Sequence, residues 1–259
     1  MAIETTIDKN LRFLVLEVIK QVERTQRVLN DPTDAGRRRV EHRDDYIDHL
    51  RSIIENKIFE FLGHHGNLDK SETDHLRSVG VVASNLERIA DHCVNVVGQT
   101  LHFQDARFFR RYAYAPFFEE MVIALRNVLP AVRERDTEVA LAICQSEGLL
   151  DELYRAKFER ILAEMALGQE VSELVTSLFI FHYLERIGDC LKNIGEAVIF
   201  SKMGERLKFH QYQAVRDAMD TVSSNGAAAE GLDFEGIWGT RSGCRIGKIR
   251  ETDPVQEDG

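Results

Sequence analysis

LERIADHCVNVV, at residues 86–97, returns in altered form as LERIGDCLKNIG at residues 184–195. The two stretches share Leu, Glu, Arg, Ile, Asp and Asn in the same order and at the same spacing. Agreement at so many positions exceeds what helical composition alone produces, and recurrence of a whole segment is typical of internal duplication. The sequence therefore predicts a protein built from two related halves.

Apolar residues around both stretches recur every three or four positions, which is the period of an amphipathic helix. The six segments with this period are Ile3–Val22, Val40–Phe61, Val79–Val96, Phe118–Leu129, Val139–Ile161 and Leu178–Ile194. We therefore predict an all-α fold of two tandem three-helix bundles, over residues 1–105 and 112–222. A short helix between Glu205 and Val222 ends the second bundle, and the glycine-rich residues 223–259 are expected to form a flexible tail.

The composition limits the classes of protein that this chain can represent. Its 259 residues are 44% hydrophobic and 29% charged, values typical of a globular protein. A net charge of -10 disfavours direct binding to nucleic acid, whose phosphates attract cations. No apolar run approaches the roughly 20 residues of a transmembrane helix, and the N-terminus lacks the features of a secretion signal. We therefore expect a cytoplasmic protein whose four cysteines are free thiols.

Acidic residues spaced four apart are the chemically informative feature of the repeats. Each repeat carries one such pair, and the helix before each repeat carries another. On a helix these side chains stand on one face about 5–6 Å apart, where like charges are destabilising unless something compensates them. If the second and third helices of each bundle are neighbours, four carboxylates converge on that bundle. The eight acids are Asp44, Asp48, Glu87, Asp91, Glu147, Asp151, Glu185 and Asp189.

Converging carboxylates are hard oxygen ligands, which suit Fe, Mn, Mg or Ca and can also bind Zn. Asn95 and Asn193 continue the two rows and are candidate additional ligands. The alternative is that the acids face water or pair with nearby arginines, namely Arg43, Arg88, Arg155 and Arg186. Repetition of the pairs in a duplicated register favours metal binding. A ferritin-like di-iron site is disfavoured, because its Glu-x-x-His motif is absent.

The two repeated stretches resemble the paired signatures of the PhoU family, and the resemblance extends over about residues 1–220. Members of that family are two tandem three-helix bundles, often dimeric, that bind multinuclear metal clusters through E(D)xxxD motifs on the bundle surfaces. Carried onto this sequence, those motifs fall on the same eight acids. The resemblance implies a metal-binding adaptor between a phosphate ABC transporter and a membrane sensor histidine kinase, which represses phosphate-starvation genes when phosphate is ample. The metal implied is Fe, Mn, Zn or Mg, and enzymatic activity is not expected.

Two other functions fit the same residues. PhoU-like bundles also occur as accessory regulators of sodium-phosphate cotransporters. The enzymatic alternative is a metal-dependent phosphohydrolase with two adjacent cations, which needs a concave pocket with an open coordination position. Against this alternative, the sequence contains no glycine-rich phosphate loop and no nucleophile elbow.

Two segments lie outside the repeats. The connector over residues 100–112 is rich in aromatic and basic residues, and we interpret it as packing between the bundles, with membrane or partner contact as the alternative. In the tail, Trp238, Arg241 and Arg245 form a basic island between acidic flanks. Because Trp and Arg anchor many interfaces, we predict that this island docks on a partner protein or folds back on the acid rows.

Overall fold

In this computed structural model of the protein, the described residues are 2–64, 68–105, 108, 111–168, 170–205 and 208–214. Helices make up 90% of them, and no strand occurs among them. The six long helices are α1 (Ala2–Asn30), α2 (Asp34–His64), α3 (Lys70–Gln99), α4 (Ala115–Glu134), α5 (Thr137–Met165) and α6 (Val171–Met203). None of these helices combines the length and the apolarity that a membrane span requires. The predicted docking residues Trp238, Arg241 and Arg245 lie outside the described part of the chain.

The helices form two three-helix bundles, as the sequence predicts. α1, α2 and α3 pack on one another in the first bundle, and α4, α5 and α6 pack on one another in the second. α3 also packs along α6, and α1 contacts α4, so that residues 1–212 form one compact unit. The contact between α3 and α6 therefore joins the two helices that carry the repeated stretches.

The helix ends follow from local chemistry. α1 ends at Asn30, shortly before Pro32, as expected from the restriction that proline imposes on the preceding residue. At the start of α3, the Asp69 side chain accepts a hydrogen bond from the Glu72 amide, and the Glu72 side chain accepts one from the Asp69 amide. Asp136 caps α5 in a similar way, by accepting hydrogen bonds from two amides of its first turn. These caps fix where α3 and α5 begin.

The apolar stripes predicted from the sequence form the core. In α2 the buried residues are the six predicted ones, Val40, Ile47, Leu50, Ile54, Ile58 and Phe61. In α3 all six predicted residues are buried, namely Val79, Val82, Leu86, Ile89, Cys93 and Val96. Each large apolar side chain of this kind stabilises the fold by about 1.5–3 kcal/mol relative to an exposed one. The prediction is less exact in α4 and α5, where Leu129 and Leu153 are only partly buried.

The connector between the bundles packs against the second bundle. Tyr112 is buried and lies edge-on to Phe181 of α6, with ring centroids 5.6 Å apart. Arg111 forms ion pairs with Glu164 at 2.8 Å and with Glu170 at 2.6 Å. In its described residues the connector is therefore a packed segment, as interpreted from the sequence.

Candidate metal centres

The first acid cluster lies between α2 and α3 and consists of Asp44, Asp48, Glu87 and Asp91. Each pair of acids lies beside the buried apolar stripe of its helix. Burial raises the pKa of Asp44 to about 7, and the nearby carboxylates of Asp91 and Glu87 raise it as well. Burial also raises the pKa of Glu87 and that of Asp91, and the charge of Asp48 adds to both shifts. The structure therefore brings together the four acids that the sequence predicts for the first bundle.

Cations compensate this first cluster only at its edge. Arg51 donates a hydrogen bond to Asp48 at 2.8 Å. Asp44, Glu87 and Asp91 form no ion pair with any residue that the structure describes. The Oδ1 atom of Asp44 is buried without a hydrogen-bond partner among those residues, and the pKa shifts of Asp44 and Asp91 include a hydrogen bond between their two carboxyl groups. A buried oxygen without a partner is costly, and either a proton or a cation would satisfy it.

The second acid cluster, formed by Glu147, Asp151, Glu185 and Asp189, lies between α5 and α6 and is closely paired with cations. Its ion pairs are Lys192–Glu147 at 3.1 Å, Arg155–Asp151 at 2.6 Å and Arg186–Asp189 at 2.6 Å. The His182 ring lies 3.6 Å from Glu185. Burial, and then the charge of Asp189, raises the pKa of Glu185. The structure brings these four acids together as well, but with their charge largely compensated.

Pairing with nearby arginines, the alternative to metal binding, therefore describes Asp151 and Asp189 of the second cluster and, in the first cluster, only Asp48. Arg43 donates instead to Glu17 of α1 at 2.7 Å. Arg88 forms no ion pair with a residue in the described ranges. Lys192 of the second repeat aligns with Val94 of the first, so the first cluster lacks that cation. The first cluster is thus the stronger candidate for binding a metal cation.

Two glycines of α6 allow its close approach to α5. A Cβ atom at Gly195 would lie 2.4 Å from Cys144 Sγ and 2.6 Å from the Ala140 carbonyl oxygen. A Cβ atom at Gly188 would lie 3.2 Å from a methyl carbon of Leu150. The corresponding first-repeat residues are alanine and valine, at positions 90 and 97. This close approach brings α6 near the acids of α5. The two glycines were not used in the prediction from sequence, although their presence on α6 could have indicated the close approach.

The polar contact between α3 and α6 is a feature that the sequence did not indicate. The Asn193 side chain donates a hydrogen bond to Asn85 Oδ1 across this contact at 3.3 Å. Asn193 lies two steps of four residues from Glu185, which is a rotation of about 80° around the helix, and its role as an additional ligand of the second cluster stays a prediction. Asn95 is exposed. The His92 ring stacks on Tyr183 in the same contact, with centroids 6.2 Å apart.

The carboxylate oxygens of the first cluster are suitable metal ligands, but they are not arranged around a single position. Among the described residues, no three side chains of Asp, Glu, His or Cys are already arranged to hold a metal ion. Metal binding would therefore require the carboxylates to change rotamer. Cavities of 360 to 570 Å³ indent the described surface at five places, and none of these five is lined by an acid of either cluster. This arrangement fits a surface metal site better than the concave site of a phosphohydrolase.

Comparison with known proteins relates both halves of the chain to one family. A family model described as PhoU domain matches residues 11–100 and again residues 118–198. A Xylella fastidiosa protein named phosphate-specific transport system accessory protein PhoU homolog is 26% identical over 209 residues, which are 77% of this chain and 86% of that protein. The crystal structure of PhoU from Pseudomonas aeruginosa has the same fold, with a TM-score of 0.69 and 21% identity over 79% of this chain and 99% of that one. The phosphate transport system regulatory protein PhoU from Streptococcus pneumoniae gives a TM-score of 0.71 and 20% identity over 78% and 96% of the two chains.

Proposed function

The chain belongs to the PhoU family, and from this premise we propose that it restrains phosphate uptake and phosphate-starvation signalling when phosphate is ample. The observation that carries the proposal is the duplicated acid-bearing helix pair, to which the PhoU domain matches once in each half. Relatives with this architecture are named accessory or regulatory proteins of phosphate transport. Their names support a regulatory role over an enzymatic one.

We propose in more detail that the protein acts in the cytoplasm as a homodimer. It would contact a phosphate ABC transporter and a sensor histidine kinase at the inner face of the membrane. Exposed apolar side chains offer surface for such contacts, among them Phe13 of α1, Phe59 of α2 and Ile123 of α4, which are 56%, 72% and 55% exposed. Aromatic side chains of this kind are enriched at the centres of protein interfaces.

Deletion of the gene in its own host tests the regulatory proposal. We expect phosphate-starvation genes to be expressed even in phosphate-rich medium, because the repressing signal is lost. A transcriptional reporter of one starvation gene measures this effect, and expression of the intact chain from a plasmid should restore repression. Unchanged reporter activity after deletion would contradict the proposal. Such a result would favour the role beside a sodium-phosphate cotransporter, which phosphate uptake with and without sodium then tests.

We propose further that the acid clusters bind metal ions, with Fe, Mn, Zn or Mg as candidates. In the first cluster, Asp44, Asp48, Glu87 and Asp91 would hold the ion, and the support is the uncompensated charge and the partnerless buried oxygen of Asp44. A bound cation would neutralise the repulsion between these carboxylates and tie α2 to α3. In the second cluster, Glu147, Asp151, Glu185 and Asp189 would bind metal only after Lys192 and two arginines release them. We therefore expect weaker binding there.

Paired alanine substitutions test the two clusters separately. In protein purified from metal-replete medium, Glu87→Ala with Asp91→Ala should remove the metal of the first cluster, and Glu185→Ala with Asp189→Ala that of the second. The first pair should remove more of the bound metal than the second, because we expect weaker binding at the second cluster, and neither pair removes a core side chain. Elemental analysis measures the metal, and circular dichroism measures the helicity, which should not change.

A control variant separates ligand loss from a general loss of negative charge. Glu152→Ala with Glu159→Ala removes two exposed acids of α5 outside both clusters and should leave the metal content unchanged.

The metal content of the unaltered protein should fall as the pH decreases through about 7, because below its pKa Asp44 holds a proton that the metal must displace. Full metal content in both cluster variants would rule out the acids as ligands.

A further inference from the structure

A group of arginines at the corner between α1 and α2 has no role in the metal or regulatory proposals. This arginine cluster consists of Arg24 and Arg27 near the end of α1 and of Arg38 and Arg39 in the first turns of α2. The four side chains line two adjoining cavities of about 570 and 490 Å³, which share Ala35 and Arg39. A concentration of positive charge of this size is notable on a chain with a net charge of -10.

Three of the four arginines lack a counter-charge. The side chains of Arg27, Arg38 and Arg39 form no ion pair or hydrogen bond with any residue in the described part of the chain. The nearest helix-start acid, Asp34, is already bound by Arg37. Asp31 also lines the larger cavity and offsets part of the positive charge there, but it forms no ion pair with any of the four arginines.

The fourth arginine, Arg24, is partly buried and poorly satisfied. Its Nη1 atom is buried and has no hydrogen-bond partner within the residues described. The closest carboxylate oxygen belongs to Glu17 and lies 3.9 Å away, and Glu17 already accepts hydrogen bonds from Arg43 at 2.7 Å and Lys20 at 3.0 Å. Burial lowers the pKa of Arg24, and so do the charges of neighbouring arginines. Nη1 of Arg24 therefore has a long ion pair with Glu17 but no hydrogen bond, although a buried donor is normally hydrogen-bonded.

The duplication shows that the fold does not require these arginines. When Val40 is aligned with Ile143 and Ile47 with Leu150, the Arg-Arg-Arg of residues 37–39 aligns with the Ala-Leu-Ala of residues 140–142. α5 nevertheless forms a helix of similar length and packs in its bundle in the same way. Helix formation and bundle packing at these positions therefore do not require Arg38 or Arg39.

We propose that the arginine cluster binds a small soluble anion that carries two or more phosphate groups. Guanidinium groups bind phosphate oxygens through pairs of hydrogen bonds, and the cavities place several of them around one volume. Ala35 and Gly36 in the first turn of α2 line the larger cavity, so the helix dipole adds to the attraction for an anion. A single orthophosphate would offset only part of the positive charge of the four arginines, whereas an anion with linked phosphates carries more negative charge and offers more oxygens to them.

The charge of the rest of the molecule favours a compact anion over an extended one. Nucleic acid or an anionic membrane would also meet the surrounding acidic surface, which follows from the net charge of -10. A small anion contacts the arginine cluster alone. The anion-binding proposal is independent of the metal sites and of the regulatory role. Any one of the three proposals can therefore fail while the other two stand.

Isothermal titration calorimetry with inorganic pyrophosphate tests this proposal on the full chain, from which metal has first been removed with a chelator. We expect one pyrophosphate to bind per chain, with a submillimolar dissociation constant at moderate salt. Arg27→Ala combined with Arg39→Ala should weaken binding at least about tenfold, because two charge-assisted contacts are lost. The fold tolerates alanine at the second position, since Ala142 occupies it in α5. The matched control is Arg126→Ala, which removes an exposed arginine of α4 and should leave binding unchanged.

Three results would overturn the proposal. The first is the absence of binding by pyrophosphate or tripolyphosphate at low salt. The second is equal binding of sulfate and pyrophosphate that Arg27→Ala with Arg39→Ala does not weaken, which would indicate general ionic attraction. The third is binding only to vesicles that contain anionic lipid, which would assign the cluster to a membrane surface.

Discussion

Replacing Phe181 with alanine is expected to lower the free energy of unfolding by about 3–5 kcal/mol. Phe181 lies in α6 and is fully buried. Its ring contacts those of Tyr112, Tyr114 and Phe117, with centroids 5.6, 5.0 and 5.5 Å away. The substitution therefore removes the centre of an aromatic group that attaches the connector and the start of α4 to α6. Because domains are stable by only about 5–15 kcal/mol, this loss is a large fraction of the total.

Urea unfolding followed by circular dichroism at the helical wavelength measures this effect. Phe179→Ala is the matched control, because it removes the same side chain two residues earlier, where the residue is 47% exposed. We expect that control to cost less than about 1 kcal/mol. A cost for Phe181→Ala no greater than that for Phe179→Ala would show that the aromatic group does not hold the connector in place.

Gly195→Ala is expected to destabilise the protein by about 1–3 kcal/mol, the typical cost of overpacking a core. The added Cβ atom would lie 2.6 Å from the Ala140 carbonyl oxygen, and a backbone atom cannot move aside as a flexible side chain can. Relief of this contact requires α6 to move away from α5. That movement would also lengthen the contact between Lys192 and Glu147, which is 3.1 Å in the native protein.

Gly148→Ala provides a control with the opposite sign. Gly148 lies inside α5, and a Cβ atom there would meet nothing within 4 Å. Alanine at an open helical position stabilises a helix relative to glycine by about 0.5–1 kcal/mol. The two variants should therefore shift the urea midpoint in opposite directions. A stabilising effect of Gly195→Ala would refute the close approach of the two helices.

The sequence predicts the helices well because each amphipathic stripe is a local property of its own segment. All six residues predicted to be buried in α2 are buried. The contact between α3 and α6 was not predicted, because the prediction used only one apolar stripe of α6, from Leu178 to Ile194. The structure also buries Cys190 and Ala197, outside that stripe. A helix that is apolar on more than one face is buried between several neighbours, and this was the available sign.

The acid pairs were predictable from spacing, but only part of their electrostatic surroundings was. Arg155 and Arg186 pair with Asp151 and Asp189 at spacings of four and three residues within one helix, as the alternative to metal binding expected. The contact of Lys192 with Glu147 instead depends on the approach of a second helix. The arginine cluster was missed for the same reason. Its members come from two helices, and only the turn between α1 and α2 brings them together.

The duplication also makes the two halves of the molecule different from each other. A dimer of identical one-bundle chains would show every substitution twice about its symmetry axis. Here both copies belong to one gene product and have diverged separately, so that one carries an arginine-lined corner and the other carries acids neutralised by Lys192. The two halves are consequently distinguishable to anything that binds them. A partner that recognises both halves can attach in one polarity only, which a symmetric ancestor could not have imposed.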